Sequence, residues 1–123
     1  LDHFKSINDQ WGHAVGDLAL KHFAGILREQ LRKSDLAGRV GGEEFAVVLG
    51  DASLDEALGF ARRVQQRLAQ AHLFMDEQHI ALTVSIGIAA MNATDISVDA
   101  PLSRSDQALY GAKEHGRNRI ECL

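Results

Sequence analysis

The stretch RVGGEEF, residues Arg39 to Phe45, decides how this chain of 123 residues is interpreted. Two adjacent glycines are followed at once by two carboxylates and then by an apolar run that ends at Leu49. A glycine pair between two extended segments predicts a tight hairpin turn. The missing Cβ atoms also let another group approach the backbone closely. The sequence therefore predicts a β-hairpin whose tip carries two acidic side chains beside an open backbone.

The two carboxylates, Glu43 and Glu44, repel each other unless a cation or hydrogen-bond donors compensate their charge. A divalent metal ion that carries a phosphate would supply that compensation. The alternative is a solvated turn with two charges, since turns are rich in glycine and acidic residues. The rest of the chain favours the first interpretation.

Length and composition indicate one globular domain with a core of ordinary size. Hydrophobic residues make up 46% and charged residues 24% of the chain, and the net charge is -4. This acidic balance argues against a general nucleic-acid binder. No apolar run is long enough to span a membrane. A single cysteine, Cys122, excludes an internal disulfide and weakly favours a reducing, cytoplasmic location.

Hydrophobic periodicity predicts alternating helices and strands. Leu20, Phe23 and Leu27 recur at helical spacing, and Ser53 with Glu56 has the spacing of a capping box. The order predicts an α+β or α/β fold with a mixed β-sheet flanked by helices. The predicted elements are a strand end at 1–4, a helix at 15–33, strands at 36–40 and 44–49, a helix at 53–71, a strand at 80–91, a polar loop at 92–101, a helix at 102–115 that ends at Gly116, and a strand at 119–123.

Three further clusters suit an anionic or purine ligand. Lys5 and Asn8 join a cation to an amide just after the first predicted strand. Asp17 follows glycines at the start of a long helix, where backbone N–H groups can face an anion, although helix capping explains Asp17 equally well. Lys113 and Arg117 lie near the end of the last helix. They can hold phosphates there or simply complement the helix dipole.

In their order along the chain, these segments resemble the GGDEF domain of diguanylate cyclases, with GGEEF as the central motif. The resemblance covers nearly the whole chain. It implies a palm-like fold, as in nucleotide cyclases and polymerases, and a single domain over residues 1–123. It also implies condensation of two GTP into cyclic di-GMP with release of pyrophosphate, assisted by Mg²⁺ or Mn²⁺. The matching segments are LDHFKSIND at 1–9, GH at 12–13 with GD at 16–17, RVGGEEF at 39–45, TVSIG at 83–87, DQALYGAK at 106–113 and GRN at 116–118.

The resemblance also implies roles for individual residues. Glu43 would be a metal ligand and assist deprotonation of the 3′-hydroxyl, while Glu44 would support the same geometry. Glycines of the hairpin would admit the phosphates, and polar residues would bind the base and the triphosphate. The remaining substrate residues are Lys5, Asn8, Asp17, Gly41, Gly42, Lys113 and Arg117.

The start of the chain departs from the family pattern. The family usually has a metal-binding Asp directly before the position of Leu1, so only the Leu1 main-chain carbonyl is left as a partner for Glu43. We expect the natural protein to supply the rest of the first strand, a preceding helix and regulatory domains upstream. In the family two domains face each other during catalysis, which implies a homodimer.

Arg32 and Asp35 precede the hairpin at the offset of the family's product-inhibition motif, R-x-x-D. The resemblance therefore implies a separate site for cyclic di-GMP, to which Arg63 on the next helix would add a contact. The alternative is an ion pair on the surface of a helix end, worth a few tenths of a kcal/mol.

Two classes of function remain open for the chain. One is an active cyclase, and the other is a non-catalytic receptor that binds GTP or cyclic di-GMP. The intact acids Glu43 and Glu44 favour the cyclase. A nucleic-acid polymerase palm is disfavoured by the small, acidic chain.

Overall fold

The computed structural model describes all residues from 1 to 123 as a mixed assembly of helices and short strands. Three of the four helices and the GGEEF hairpin lie close to where the sequence predicts them. The elements are α1 (Phe4–Trp11), α2 (His13–Gln30), β1 (Leu36–Gly41), β2 (Glu44–Val48), α3 (Leu54–Gln70), β3 (Leu73–Met75), β4 (Gln78–Ile80), β5 (Ile86–Ile88), α4 (Asp99–Glu114) and β6 (Ile120–Cys122).

The strands form three two-stranded sheets rather than one continuous sheet. β1 pairs with β2, and β3 pairs with β4, both antiparallel, whereas β5 and β6 are parallel. Both strand directions therefore occur in the molecule, but in separate sheets, so the single mixed sheet of the prediction is not observed. None of the four helices combines the length and the hydropathy that a membrane-spanning helix needs.

The core lies between α2 and α3, and β4 and the segment that follows it add apolar side chains. α3 forms where the sequence predicts it, because Ser53 and Glu56 complete a reciprocal capping box. Gly87 in β5 lies so close to α4 that an added Cβ would stand 2.9 Å from the Leu109 Cα. The buried core cluster is Ile7, Val15, Ala19, Phe23, Ile26, Leu27, Phe60, Val64, Leu68, Ile80, Leu82 and Val84.

Two helix boundaries differ from the prediction for local reasons. α2 ends at Gln30 rather than at residue 33, because the Arg32 amide donates to Asp35 Oδ2 at 2.8 Å and the chain turns away. α4 begins at Asp99, so Pro101 lies in its first turn, where proline is tolerated. Gly116 follows the end of α4 with a φ of 117°. Glycine is common just after a helix end because it adopts positive φ values without strain.

Residues 1–4 and 80–91 do not form the strands that the sequence predicts. Phe4 begins α1, an eight-residue helix that the prediction lacked. The apolar run is divided between β4 and β5, and the side chains of Thr83 and Ser85 in the gap both donate to Asp2. The β3–β4 hairpin was also missed. Its turn residues, Asp76 and Glu77, have φ values of 49° and 68°, which fits a type I′ turn without glycine.

Candidate functional site

The tip of the β1–β2 hairpin consists of Gly42 and Glu43, whereas the sequence predicted Gly41 and Gly42. Gly41 belongs to β1 and pairs with Glu44. Gly42 has a φ of 43°, in the region that favours glycine. Arg39 Nε donates to the Gly42 carbonyl at 2.7 Å, and the strand register is irregular just before the tip. The tip is therefore fixed by a bulge, a glycine and one arginine.

The hairpin acids, the first residue of the chain and a lysine of α4 lie along one groove. The Leu1 nitrogen donates to the Glu43 carbonyl at 3.2 Å, and Lys113 Nζ lies 3.3 Å from Glu44 Oε1. These four residues and Asp2 line a groove of about 810 Å³ whose other walls are mainly apolar. The structure thus brings together four of the predicted site residues from three separate segments.

The donor chemistry of this groove suits Mg²⁺ or Mn²⁺, although the ligand set is small. Mg²⁺ prefers oxygen ligands and usually keeps several waters while binding one or two carboxylates and substrate phosphates. Glu43 and Glu44 supply carboxylate oxygens, and both are only partly buried. No group of three or more His, Cys, Asp or Glu side chains is arranged to hold a metal ion. A metal here would therefore depend on ligands in addition to these side chains.

The residues predicted to bind the base lie where α1 meets α2. Asn8 packs against Gly16 so closely that an added Cβ there would stand 2.9 Å from the Asn8 Cγ. Asn8 Oδ1 is buried and has no hydrogen-bond partner. Asp17, which follows Gly16 in α2, is exposed. Lys5, which lies about one helical turn before Asn8 in α1, is also exposed. This cluster presents an amide, a carboxylate and a cation within two adjacent helices.

Arg117 lies apart from the groove lining, in the turn that follows α4. It is exposed, and its φ of 66° is unusual for a residue with a side chain. Lys5, Asn8 and Asp17 also do not line the groove. The residues predicted to bind the metal therefore line the groove, whereas those predicted to bind the base lie outside its lining.

Asp2 is the polar residue of this region that the sequence prediction missed. It is one of two buried charged residues, and its carboxylate accepts hydrogen bonds from Ser85 Oγ at 2.7 Å, Thr83 Oγ1 at 2.8 Å and the Asn118 amide at 3.0 Å. Burial alone would raise the pKa of Asp2, but these hydrogen bonds outweigh it and lower the pKa. All three donors are more than 80 residues away in the chain. No local pattern could have revealed them.

A second pocket, of about 320 Å³, is lined by all three residues of the predicted inhibitory site, Arg32, Asp35 and Arg63. The Arg32 guanidinium donates to the Gly50 carbonyl at 2.9 Å and lies 3.7 Å from Glu56. Arg63 Nε donates to the Gln30 side chain at 3.3 Å. Two arginines thus border one pocket, and 52% of the Arg32 side chain is exposed to solvent.

Asp35 takes a different position from the surface ion pair considered for it. Its side chain is fully buried, and its oxygens accept the amides of Arg32 at 2.8 Å and Gly50 at 3.1 Å. The Arg32 backbone bond lowers the pKa of Asp35, although burial opposes the shift and the Gly50 amide adds to it. The carboxylate therefore joins two walls of the pocket, and both of its oxygens already accept hydrogen bonds from the protein.

Comparison with protein families gives a match to "Diguanylate cyclase, GGDEF domain" over residues 1–119. Diguanylate cyclase A of Treponema denticola is 39% identical over 120 residues, which are 98% of this chain and 32% of that protein. The chain therefore spans about a third of the length of that relative.

Comparison with solved structures gives the fold of GGDEF domains. The GGDEF domain of DgcB from Caulobacter crescentus, in complex with c-di-GMP, has a TM-score of 0.93 at 31% identity, covering 98% of this chain and 72% of that one. The active GGEEF domain of a diguanylate cyclase from Vibrio cholerae has a TM-score of 0.87 at 39% identity, covering 98% and 76%. The α+β, palm-like fold predicted from the sequence is confirmed by these matches.

Proposed function

The chain belongs to the GGDEF domain family of diguanylate cyclases, and we propose that it condenses two GTP molecules into cyclic di-GMP with release of two pyrophosphates. The observation that supports this most directly is the meeting of Glu43, Glu44, Lys113 and Leu1 at one groove. The acids stand beside the open backbone of the hairpin tip. A phosphate can approach Gly41 and Gly42 without meeting a side chain, because nothing lies within 4 Å of a Cβ built on either glycine.

Glu43 is the residue that we place closest to the reacting groups. Its carboxylate and the Leu1 carbonyl would bind Mg²⁺ or Mn²⁺, with further oxygens from water and the GTP phosphates. A divalent ion bound there would polarise the phosphate and stabilise charge that develops during transfer. Glu43 also accepts the proton of the 3′-hydroxyl, so that the resulting alkoxide attacks the α-phosphate of the second GTP and pyrophosphate leaves.

Glu44 and Lys113 form a pair that GTP would rearrange. Their side chains are 3.3 Å apart and partly exposed. An exposed pair of this kind contributes little to stability, so its exchange for phosphate contacts costs little. Lys113 would then neutralise the triphosphate together with Lys5 and Arg117. Glu44 would remain beside the metal and hold its geometry.

Asn8 and Asp17 would read the guanine edge. Asn8 Oδ1 has no partner in the protein, and a buried polar atom without a hydrogen bond is costly. Asp17 is exposed and offers two acceptor oxygens. A carboxylate can accept both N1–H and the 2-amino group of guanine, a pair that adenine lacks. The site would therefore select GTP over ATP.

The reaction joins two GTP molecules, so two copies of the domain must face each other. Each groove holds the acids for one nucleotide, and each 3′-hydroxyl attacks the α-phosphate in the partner groove. We therefore propose a homodimer as the catalytic unit. Regulatory domains in the longer protein would control how the two copies meet.

The second pocket would bind the product and inhibit the reaction. Arg32 and Arg63 border it, and guanidinium groups match phosphate oxygens and the guanine edge. Asp35 would act by fixing Arg32 and the Gly50 backbone, to which it is hydrogen-bonded. Occupancy would favour an arrangement in which the two GTP grooves cannot meet, and a preference of a few kcal/mol is sufficient for that.

The direct test is to incubate the natural full-length protein with GTP and Mg²⁺ or Mn²⁺ and to separate the products by chromatography. The proposal predicts cyclic di-GMP and two pyrophosphates per product molecule. ATP in place of GTP serves as the matched control and should give no cyclic product. Tight binding of GTP or cyclic di-GMP without any turnover would refute the cyclase and support the receptor alternative.

A further inference from the structure

Asp2 lies at a junction of three segments that no local sequence pattern connects. Its own amide donates to the Thr83 carbonyl at 2.9 Å, while its carboxylate accepts the hydroxyls of Thr83 and Ser85. The Oδ2 atom that accepts the Thr83 hydroxyl also accepts the Asn118 amide at 3.0 Å. Only 5% of Asp2 is exposed. The residue therefore ties the start of the chain to the β5 side and to the turn after α4.

The turn after α4 has a backbone that needs such an external tie. Arg117 and Asn118 have φ values of 66° and 48°, and two successive left-handed residues without glycine are intrinsically unfavourable. Within the turn, the Arg117 amide donates to the Ala112 carbonyl at 2.9 Å. From outside, Gln65 donates to the Asn118 carbonyl at 3.0 Å, and Asp2 accepts from the Asn118 amide. Asn118 is thus held from two sides.

The position of Arg117 depends on that tie. Arg117 precedes Asn118 directly, and its side chain is exposed. Asp2, in turn, follows Leu1, whose nitrogen donates to the Glu43 carbonyl. One carboxylate therefore fixes the distance between the segment at the hairpin acids and the segment that carries Arg117.

We infer that Asp2 is a positioning residue for the nucleotide site. Through its hydrogen bond from Asn118, Asp2 fixes the place of Arg117 relative to Glu43 at the hairpin tip. This inference rests on the proposed function, because it takes Arg117 to contact the triphosphate. In this role Asp2 acts through Asn118 rather than through a contact of its own with the nucleotide. The carboxylate is required as an acceptor at a fixed place.

The test uses a double-mutant cycle in the natural full-length protein, with KM for GTP and kcat measured separately. Asp2→Ala removes the acceptor and should raise KM about tenfold with a smaller change in kcat, which corresponds to about 1.4 kcal/mol of lost binding. Ser85→Ala is the matched control, because it removes one donor to Asp2 but leaves the bond from Asn118. Its KM should stay within about twofold of the wild type. Asp2→Asn keeps an acceptor oxygen for the Asn118 amide and should restore most of the affinity.

The decisive comparison is made in an Arg117→Ala background. If Asp2 acts through Arg117, Asp2→Ala should raise KM there by less than about twofold, since the effects of coupled residues do not add. An equal effect in both backgrounds would overturn the inference. Amide hydrogen exchange at Asn118, measured without nucleotide, gives a second readout. Exchange should quicken in Asp2→Ala and stay unchanged in Ser85→Ala, and unchanged exchange in both variants would also overturn it.

These readouts separate the inference from the function on which it rests. An Arg117→Ala variant with the KM of the wild type would refute the triphosphate contact of Arg117, and with it the role of Asp2 in nucleotide binding. Quickened exchange at Asn118 in Asp2→Ala would still support the tether. If Asp2→Ala fails to fold, Gln65→Ala, which removes the second tie on Asn118, is compared with the wild type and in the Arg117→Ala background in the same way. Quickened exchange at Asn118 in Gln65→Ala with the KM of the wild type would then overturn the inference.

Discussion

Two glycines of helix α2 should differ in how the stability responds to the same substitution. A Cβ at Gly16 would overlap the Asn8 Oδ1 atom and stand 2.9 Å from the Asn8 Cγ and 3.3 Å from the Phe4 Cζ. A Cβ at Gly25 would meet nothing within 4 Å. Both residues lie within the helix His13–Gln30, so the intrinsic preference for alanine is comparable at the two positions.

The expected magnitudes follow from that difference. Gly→Ala inside a helix stabilises by about 0.5–1 kcal/mol, and Gly25→Ala should show that gain in full. At Gly16 the same gain is opposed by overpacking, which typically costs about 1–3 kcal/mol. The net result for Gly16→Ala should lie between no change and a loss of about 2.5 kcal/mol, which leaves it less stable than Gly25→Ala. Because Asn8 must move away from α2, GTP should also bind about tenfold more weakly, which equals about 1.4 kcal/mol.

Urea unfolding of both variants measures the stability difference, and calorimetry with GTP measures the affinity. Gly25→Ala should keep the affinity of the wild type, because it lies two to three turns further along the helix. A Gly16→Ala protein that is as stable as Gly25→Ala and binds GTP normally would refute the close packing of Asn8 and its place in the base site.

Three further predictions concern single side chains. Asp17→Ser should narrow the preference for GTP over ATP in competitive binding, whereas an unchanged preference would remove Asp17 from base recognition. Arg32→Ala should abolish product inhibition with basal turnover retained, and Lys33→Ala, next to it but outside the pocket, should leave inhibition intact. The lowered pKa of Asp35 implies stability that is complete above about pH 4 and is lost as the pH falls through the lower folded value. Urea unfolding should therefore show a flatter acid dependence for Asp35→Asn, and parallel curves would contradict this.

Local signals account for the elements that the sequence predicted well. Ser53 and Glu56 are three residues apart, and the capping box they form starts α3 where the pattern places it. The missed elements lack such signals. α1 has only eight residues, and the β3–β4 turn uses Asp76 and Glu77 where glycine or asparagine would have marked it.

Long-range contacts explain what remained hidden in the site. The hairpin acids are evident from the motif, but Lys113 meets Glu44 across 69 positions of the chain and Asp2 meets Asn118 across 116. The burial of Asp35 also depends on contacts that the local sequence does not show. Spacing alone suggests an exposed pair with Arg32, whereas the fold buries its carboxylate against the Gly50 amide.

The central claim is that the groove at the hairpin tip performs the chemistry, and Glu43→Gln tests it most directly. The substitution keeps the size of the side chain and removes its charge at the tip. Turnover of GTP to cyclic di-GMP in the full-length protein should fall by orders of magnitude, while the unfolding midpoint and the circular dichroism spectrum stay those of the wild type. A folded Glu43→Gln protein that forms cyclic di-GMP at a near-normal rate would contradict the account.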